Sequence, residues 1–242
     1  MGPRNGSVST DICALCPVRE HALCSCLSDG ERVVLAGFCQ RRRFTAGETV
    51  MWAGDESRIC ANLQSGVLKV VAATTDGREQ IVSLVYPADF VGEPYATETA
   101  FTVTALSDAE LCTFPRLLFE RFLEEHARME NLLLQRTFKA LNEARARMLT
   151  LARLSAGEKV AGLLLEMAAQ AGRCRCRLGL SEPVTFDLPM TRGHMADVLG
   201  MTIETVSRQL TKLKSAEVII LSGARTVTIV DGNALKGRAM AA

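Results

Sequence analysis

Long apolar runs are missing from this chain of 242 residues. Its densest apolar clusters, LLLEMAA and VIIL, fall far short of the roughly 20 residues that cross a bilayer. The opening MGPRNGSVSTD is polar and lacks the apolar core of a secretion signal. A soluble cytoplasmic protein is expected, with no membrane partner. Net charge is equally scarce: 28 basic residues face 27 acidic ones, a formal +1, so any polyanion contact has to come from a local patch rather than a global field. Histidine is nearly absent. His21, His126 and His194 are the only three, and none stands in a pattern that defends an axial haem ligand. No P-loop, HExxH motif, Ser-His-Asp arrangement or pair of catalytic carboxylates is present, so no enzyme is expected.

Cysteine, by contrast, is plentiful at nine residues. The stretch CALCPVREHALCSC packs Cys13, Cys16, Cys24 and Cys26 together. In a reducing compartment, clustered thiols point to metal or redox chemistry rather than to bridges, and the odd total argues against full pairing. Zinc and iron–sulfur are both compatible with four thiolates, and an unligated or disulfide-linked set stays open. Cys39 and Cys60 stand in apolar, strand-like company and read as buried small hydrophobes. Cys174 and Cys176 form a C-x-C pair in an Arg-rich loop.

The hydrophobic fraction, 48%, suffices for two domains with real cores. From Phe38 to Phe114 short β-branched runs alternate with turn residues: Ala46-Gly47, Gly54-Asp55, Pro87, Gly92, Ser107-Asp108, and the hairpin signal Thr75-Asp76-Gly77. That rhythm predicts a small antiparallel barrel or sandwich. Arg116 to Leu154 contains neither Gly nor Pro and predicts a long helix, preceded by a short one. Within it Leu134, Leu141, Ala144, Met148 and Leu151 fall at steps of seven, three, four and three. Such a seam could pack on the barrel, but its length at a domain joint favours a homodimeric coiled coil. Ser155 and Glu158 have the capping-box spacing that opens the next helix, 156–171. A strand near Val184–Leu188, two short helices and a hairpin about Ser222-Gly223-Ala224-Arg225 complete the chain. The expected division is a cysteine segment (1–30), a β-rich domain (31–115), the helix region (116–154) and a C-terminal domain (155–242).

The most specific stretch is PMTRGHMADVLGMTIETVSRQLTKLKSAEVI. A helix from Thr191 to Leu199 stops at Gly200, Thr202 caps a second helix over 203–215, and Met195, Ala196, Leu199, Val206 and Leu210 fill the space between. This is a helix-turn-helix. Glu204, Ser207 and Arg208 share one face of the second helix's first turns, and their chemistry suits base edges in the major groove of double-stranded DNA. Thr191, Arg192, Thr205, Lys212 and Lys214 are candidates for phosphate contacts. The plainer alternative is a surface helix with a Glu204–Arg208 salt bridge.

With the AGE and GD turns, SGVLKV, DGREQIVSLVYPADFVGE and MTRGHMADVLGMTIETVSRQL in place, the chain resembles the CRP/FNR superfamily of transcription regulators over nearly its whole length. Its Glu-x-x-Ser-Arg pattern is that of the FNR branch. The resemblance implies an α+β fold: a cyclic-nucleotide-binding-type β-roll, a long dimerisation helix and a winged helix-turn-helix that reads a palindrome like TTGAT-N4-ATCAA. It implies a contact of Thr75, Asp76, Gly77 and Arg78 with RNA polymerase. No arginine follows Gly92-Glu93 until Arg116, so a cyclic nucleotide would lack its phosphate partner and is not expected. The branch senses oxygen through a [4Fe–4S] cluster on three front cysteines and a fourth at the end of the β-roll. C-x2-C-x7-C resembles the FnrL/FnrN type, which assigns Cys13, Cys16, Cys24 and Cys112, with Cys26 as the alternative to Cys24. A regulator of haem-bound NO or CO, or of thiol oxidation, is the rival. Where the family's best-known member carries an aspartate that opposes dimerisation, this chain has Ala144.

Overall fold

The computed structural model describes Cys13 and residues 15–73, 77, 79–173, 183–223 and 225–239. Cys174 and Cys176 lie outside them. The chain divides into two compact units, Met1–Val71 with Leu84–Leu141, and Ala72–Ser83 with Asn142–Ala242. Among the described residues no helix is long and apolar enough to cross a membrane.

Eight short strands form the roll: β1 (Gln40–Phe44), β2 (Thr49–Met51), β3 (Ile59–Ser65), β4 (Leu68–Ala73), β5 (Glu79–Val85), β6 (Phe90–Val91), β7 (Thr102–Ala105) and β8 (Ala109–Pro115). They make two four-stranded sheets, ordered β1-β8-β3-β6 and β2-β7-β4-β5. Strands β3 and β8 divide their side chains between two cores, because successive residues point to opposite faces. Ala61 and Leu63 join Ala109 and Leu111 in the core between the sheets. Cys60, Cys112 and Phe114 point the other way, into a second cluster with Leu23, Leu35 and Phe119. The β3–β4 turn needs glycine: Gly66 has φ +86°, and a Cβ there would stand 2.3 Å from the Asp108 carbonyl oxygen.

That second face is roofed by the leading segment. A 3-10 turn (Leu23–Cys26) leads into α1 (Asp29–Ala36), whose start is a full capping box: the Ser28 hydroxyl accepts from the Glu31 N–H, and the Glu31 carboxylate accepts from the Ser28 N–H at 2.7 Å. The predicted short-then-long pair is α2 (Arg116–Glu125) and α3 (Ala127–Arg153). They break at His126, whose ring stacks on Phe122 and whose Nδ1 lies 2.7 Å from the Phe122 carbonyl oxygen.

The second unit holds α4 (Ala156–Arg173), β9 (Val184–Asp187), α5 (Arg192–Leu199), α6 (Ile203–Ser215), β10 (Ile219–Ser222), β11 (Thr226–Ile229) and α7 (Gly232–Ala239). Glu158 closes the predicted capping box on the Ser155 N–H at 2.6 Å. The hairpin β10–β11 takes β9 as third strand, with Val227 opposite Phe186. Met195, Ala196, Val198, Leu199, Val206, Leu210 and Leu213 are buried, so the predicted helix-turn-helix core is present, enlarged by Val198 and Leu213. Helices α1 and α7 were not anticipated.

Candidate thiol centre and nucleic-acid interface

Alternation carries Cys112 to the outer face of its sheet, and the leading segment brings other thiols over it. Cys13, Cys16, Cys24, Cys39 and Cys112 line one cavity of about 20 Å³, together with Arg19, Arg32, Asn62 and Gln64. The Cys16 sulfur accepts from Gln64 Nε2 at 3.5 Å. Cys24 and Cys26 part company. The Cys26 thiol donates to the Leu23 carbonyl at 3.4 Å and faces a separate groove beside Ala127 and Arg128. Cys60 is fully buried away from the cavity. Cys39 corrects expectation in part: it is buried, but its thiol faces the cavity and shares a hydrogen bond with Cys112. All seven described cysteines are free.

Three of the cavity thiols, Cys13, Cys24 and Cys112, are pushed up, whereas the hydrogen bond with Cys112 draws Cys39 down. Burial first, then the neighbouring Cys16 and Cys13, push Cys24 up to about 11. Cys13 rises for the same first reason, with Cys39 and Cys16 behind it. Cys112 rises further still, through its hydrogen bond with Cys39 and through burial. Thiolates are metal ligands, so a bound cation would displace these protons. Among the described residues no three His, Cys, Asp or Glu side chains are arranged to hold a single metal ion. One zinc asks four sulfurs to sit at about 2.3 Å from one point, whereas a cubane core gives each cysteine its own iron corner and tolerates a wider set. Two buried polar atoms at the cavity make no hydrogen bond, Arg19 Nε and Asn62 Oδ1. The Arg19 guanidinium is already paired with Asp29 at 2.7 Å and lies 3.7 Å from Glu20. The donor set fits an iron–sulfur cluster better than a lone ion.

Two arginines of α3 tie the segment down. Arg136 donates from Nη1 to the Ala88 carbonyl at 2.8 Å and from Nη2 to the His21 carbonyl. Arg128 pairs with Glu31 at 3.0 Å. Beyond them α3 turns apolar groups to solvent: Leu134, Leu141, Met148 and Ala144 are exposed and Leu151 is half-buried. Phe138, 58% exposed, joins them one turn after Leu134 and had not been anticipated.

In the second unit the turn geometry follows from two caps and one glycine. The Thr191 hydroxyl accepts from the His194 N–H at 3.2 Å, Gly200 takes φ +60°, and the Thr202 hydroxyl accepts from the Thr205 N–H at 3.3 Å. Glu204 and Arg208 are exposed and Ser207 is half-buried on the first turns of α6. No ion pair joins Glu204 to Arg208 among the described residues. The Glu204 carboxylate is held below the usual range by a backbone N–H and then by the Thr202 hydroxyl. Arg192, expected on phosphate, donates to Ser207 Oγ at 3.3 Å. Lys212 and Lys214 are exposed in the last turn. Of the proposed polymerase contact only Gly77 is described; Thr75, Asp76 and Arg78 lie outside. Arg116, the first arginine after Gly92-Glu93, is committed to Glu120 at 2.7 Å and to the Ser57 carbonyl at 2.6 Å.

Residues 41–126 match the cyclic nucleotide-binding domain and residues 158–238 the Crp-like helix-turn-helix domain. The chain is similar to the transcriptional activator protein FnrL of Cereibacter sphaeroides, 40% identical over 219 residues, covering 90% of this chain and 88% of that one. It is 36% identical to the nitrogen fixation regulation protein FixK of Bradyrhizobium diazoefficiens, over 84% of each. Among solved structures, FixK2 from Bradyrhizobium japonicum superposes with a TM-score of 0.75 at 26% identity, covering 84% of this chain and 98% of that one.

Proposed function

The chain belongs to the CRP/FNR family of transcription regulators, and from that premise we propose that it senses oxygen through a [4Fe–4S] cluster on Cys13, Cys16, Cys24 and Cys112. It is a DNA-binding transcriptional activator of the FNR/FixK type. The observation that supports the sensing role is the shared cavity: the four proposed ligands, from two distant parts of the chain, line it together with Cys39, and Cys26 does not.

When bound, the cluster supplies an oxygen-labile link between the leading segment and β8. The chain's own residues convert that link into DNA binding. Arg136 and Arg128 hold the segment against α3, so a loosened segment withdraws two contacts from the helix that carries Leu134, Leu141, Ala144, Met148 and Leu151. Pairing of two copies along that seam covers the exposed apolar face. The paired chains then present two α6 helices about one DNA turn apart. Arg208 suits a guanine fork, Glu204 a cytosine amino group, and Ser207, steadied by Arg192, an adaptable contact. Thr191, Thr205, Lys212 and Lys214 fix register on phosphates. Thr75, Asp76, Gly77 and Arg78 contact RNA polymerase. No cyclic nucleotide is used, because Arg116 is already occupied.

Protein purified without air should carry about four iron and four sulfide per subunit and bind the operator, losing both on exposure to air. Cys112→Ala should bind neither. One zinc per subunit with no iron, or full anaerobic operator binding by Cys112→Ala, would overturn the reading.

A further inference from the structure

Strand β3 contains two amides in a place where solvent does not reach. Asn62 is 2% exposed and Gln64 4%. Both point to the sheet face that the leading segment covers, and both line the thiol cavity. A buried amide with an unmade hydrogen bond costs stability, and buried polar groups without partners are uncommon enough to need a cause. Asn62 Oδ1 has no partner. Its strand neighbour across the ladder is Cys112, and Gln64 already donates to the Cys16 sulfur. One amide therefore stands beside a proposed ligand from β8 and the other touches a proposed ligand from the front segment.

We propose that Asn62 and Gln64 are positioning residues that donate N–H groups to sulfur at the cluster proposed above, and so set how fast oxygen destroys it. The inference rests on that cluster reading. Sulfur in a thiolate-bound cluster only accepts hydrogen bonds, and such bonds to the sulfurs are among the factors that set cluster potential. Donors favour the more electron-rich form, so removing one makes oxidation easier. Rotation about χ2 exchanges the Asn62 oxygen and nitrogen positions, presenting N–H to a sulfur acceptor. Without the cluster, the same amide is left with an unpaired oxygen.

Asn62→Leu keeps the heavy-atom count and branching and removes the amide. The test measures two quantities with opposite expected signs. In cluster-free protein, Asn62→Leu should unfold at the same temperature as the parent or higher, because a buried unpaired group is gone. In protein loaded anaerobically, the cluster absorbance should decay about three- to tenfold faster in air, with iron and sulfide content unchanged at the start. Gln64→Met should speed the decay similarly. If Asn62 merely holds a water in the cavity, Asn62→Leu lowers the unfolding temperature and leaves the decay rate alone, which overturns the inference. An unchanged decay in both variants, with parent protein holding four iron, also overturns it while leaving the cluster reading intact. Parent protein that takes up no iron sinks the cluster reading itself, and this inference with it.

Discussion

Arg136 offers a direct way to ask whether the leading segment is held by α3. Its guanidinium donates to the carbonyls of His21 and Ala88, and Arg136→Met keeps the aliphatic stem while deleting both donors. A hydrogen bond from a charged group contributes about 1.5–3 kcal/mol, so two would suggest about 3–6 kcal/mol. The side chain is half-exposed and water can replace it at both carbonyls. Discounting by half for that solvation leaves about 1.5–3 kcal/mol, or about a 10- to 150-fold shift in the docking equilibrium of the segment. Amide exchange reads this locally. The N–H groups of Ala22, Ser25 and Leu27, bonded to Val18, Ala22 and Cys24, should exchange faster by that factor, while β8 amides keep their protection. Arg136→Lys, able to serve one carbonyl at a time, should show about a tenfold effect. Unchanged exchange at residues 22–27, or equal acceleration in β8, would refute the clamp.

Other consequences are open to measurement. Glu31 is held at about 2, chiefly by the Ser28 hydroxyl and N–H, with Arg128 contributing. A folded value below the ordinary 4.5 means that its contribution is present above pH 4.5 and disappears as pH falls through about 2; α1 amide protection should fall across that window relative to β8, and Glu31→Gln should remove the dependence. Leu141→Glu should weaken anaerobic self-association by at least about 100-fold, since two Leu side chains are lost from a two-fold seam; sedimentation showing unchanged dimers would exclude this face. Arg208→Ala should cost about 1–3 kcal/mol and relax sequence preference, whereas Lys214→Ala should weaken all sequences alike and reduce the salt slope by about one, both read by anisotropy titrations. Gly66→Ala should destabilise the roll by about 3 kcal/mol in urea unfolding, because the Asp108 carbonyl occupies the Cβ position.

The DNA-reading unit was legible because its signals are local. Thr191, Gly200 and Thr202 each set a helix end through their own backbone or hydroxyl, and the apolar spacing needed only two adjacent helices. Cys112 was placed through resemblance, and the alternation in AELCTFP accounts for it: Ala109 and Leu111 face one core and Cys112 and Phe114 the other. The amides of CANLQ were not legible. An apolar–polar alternation in a strand ordinarily puts the polar residues in water, and only the distant segment, folded over that face, reverses their environment. Cys39 escaped for a related reason: it precedes β1, where no ladder fixes its direction. Phe138 divides the step of seven between Leu134 and Leu141 into four and three, so the spacing of the seam itself points to it. Helix α1 carried a readable capping box at Ser28 and Glu31, but eight residues with Gly30 near the start offer little periodicity.

Strand β8 is stitched on both edges, to β1 and to β3, and every second side chain is wedged between the sheets. A sulfur mounted on such a strand cannot drift when its partners let go. Motion has to fall on the opposite side, where a short capped helix and a single turn rest on side-chain bonds to α3. Under the proposed cluster reading, damage at the thiols is translated into one direction only: the roll stays as a fixed anvil, and the strip above it is the part that moves.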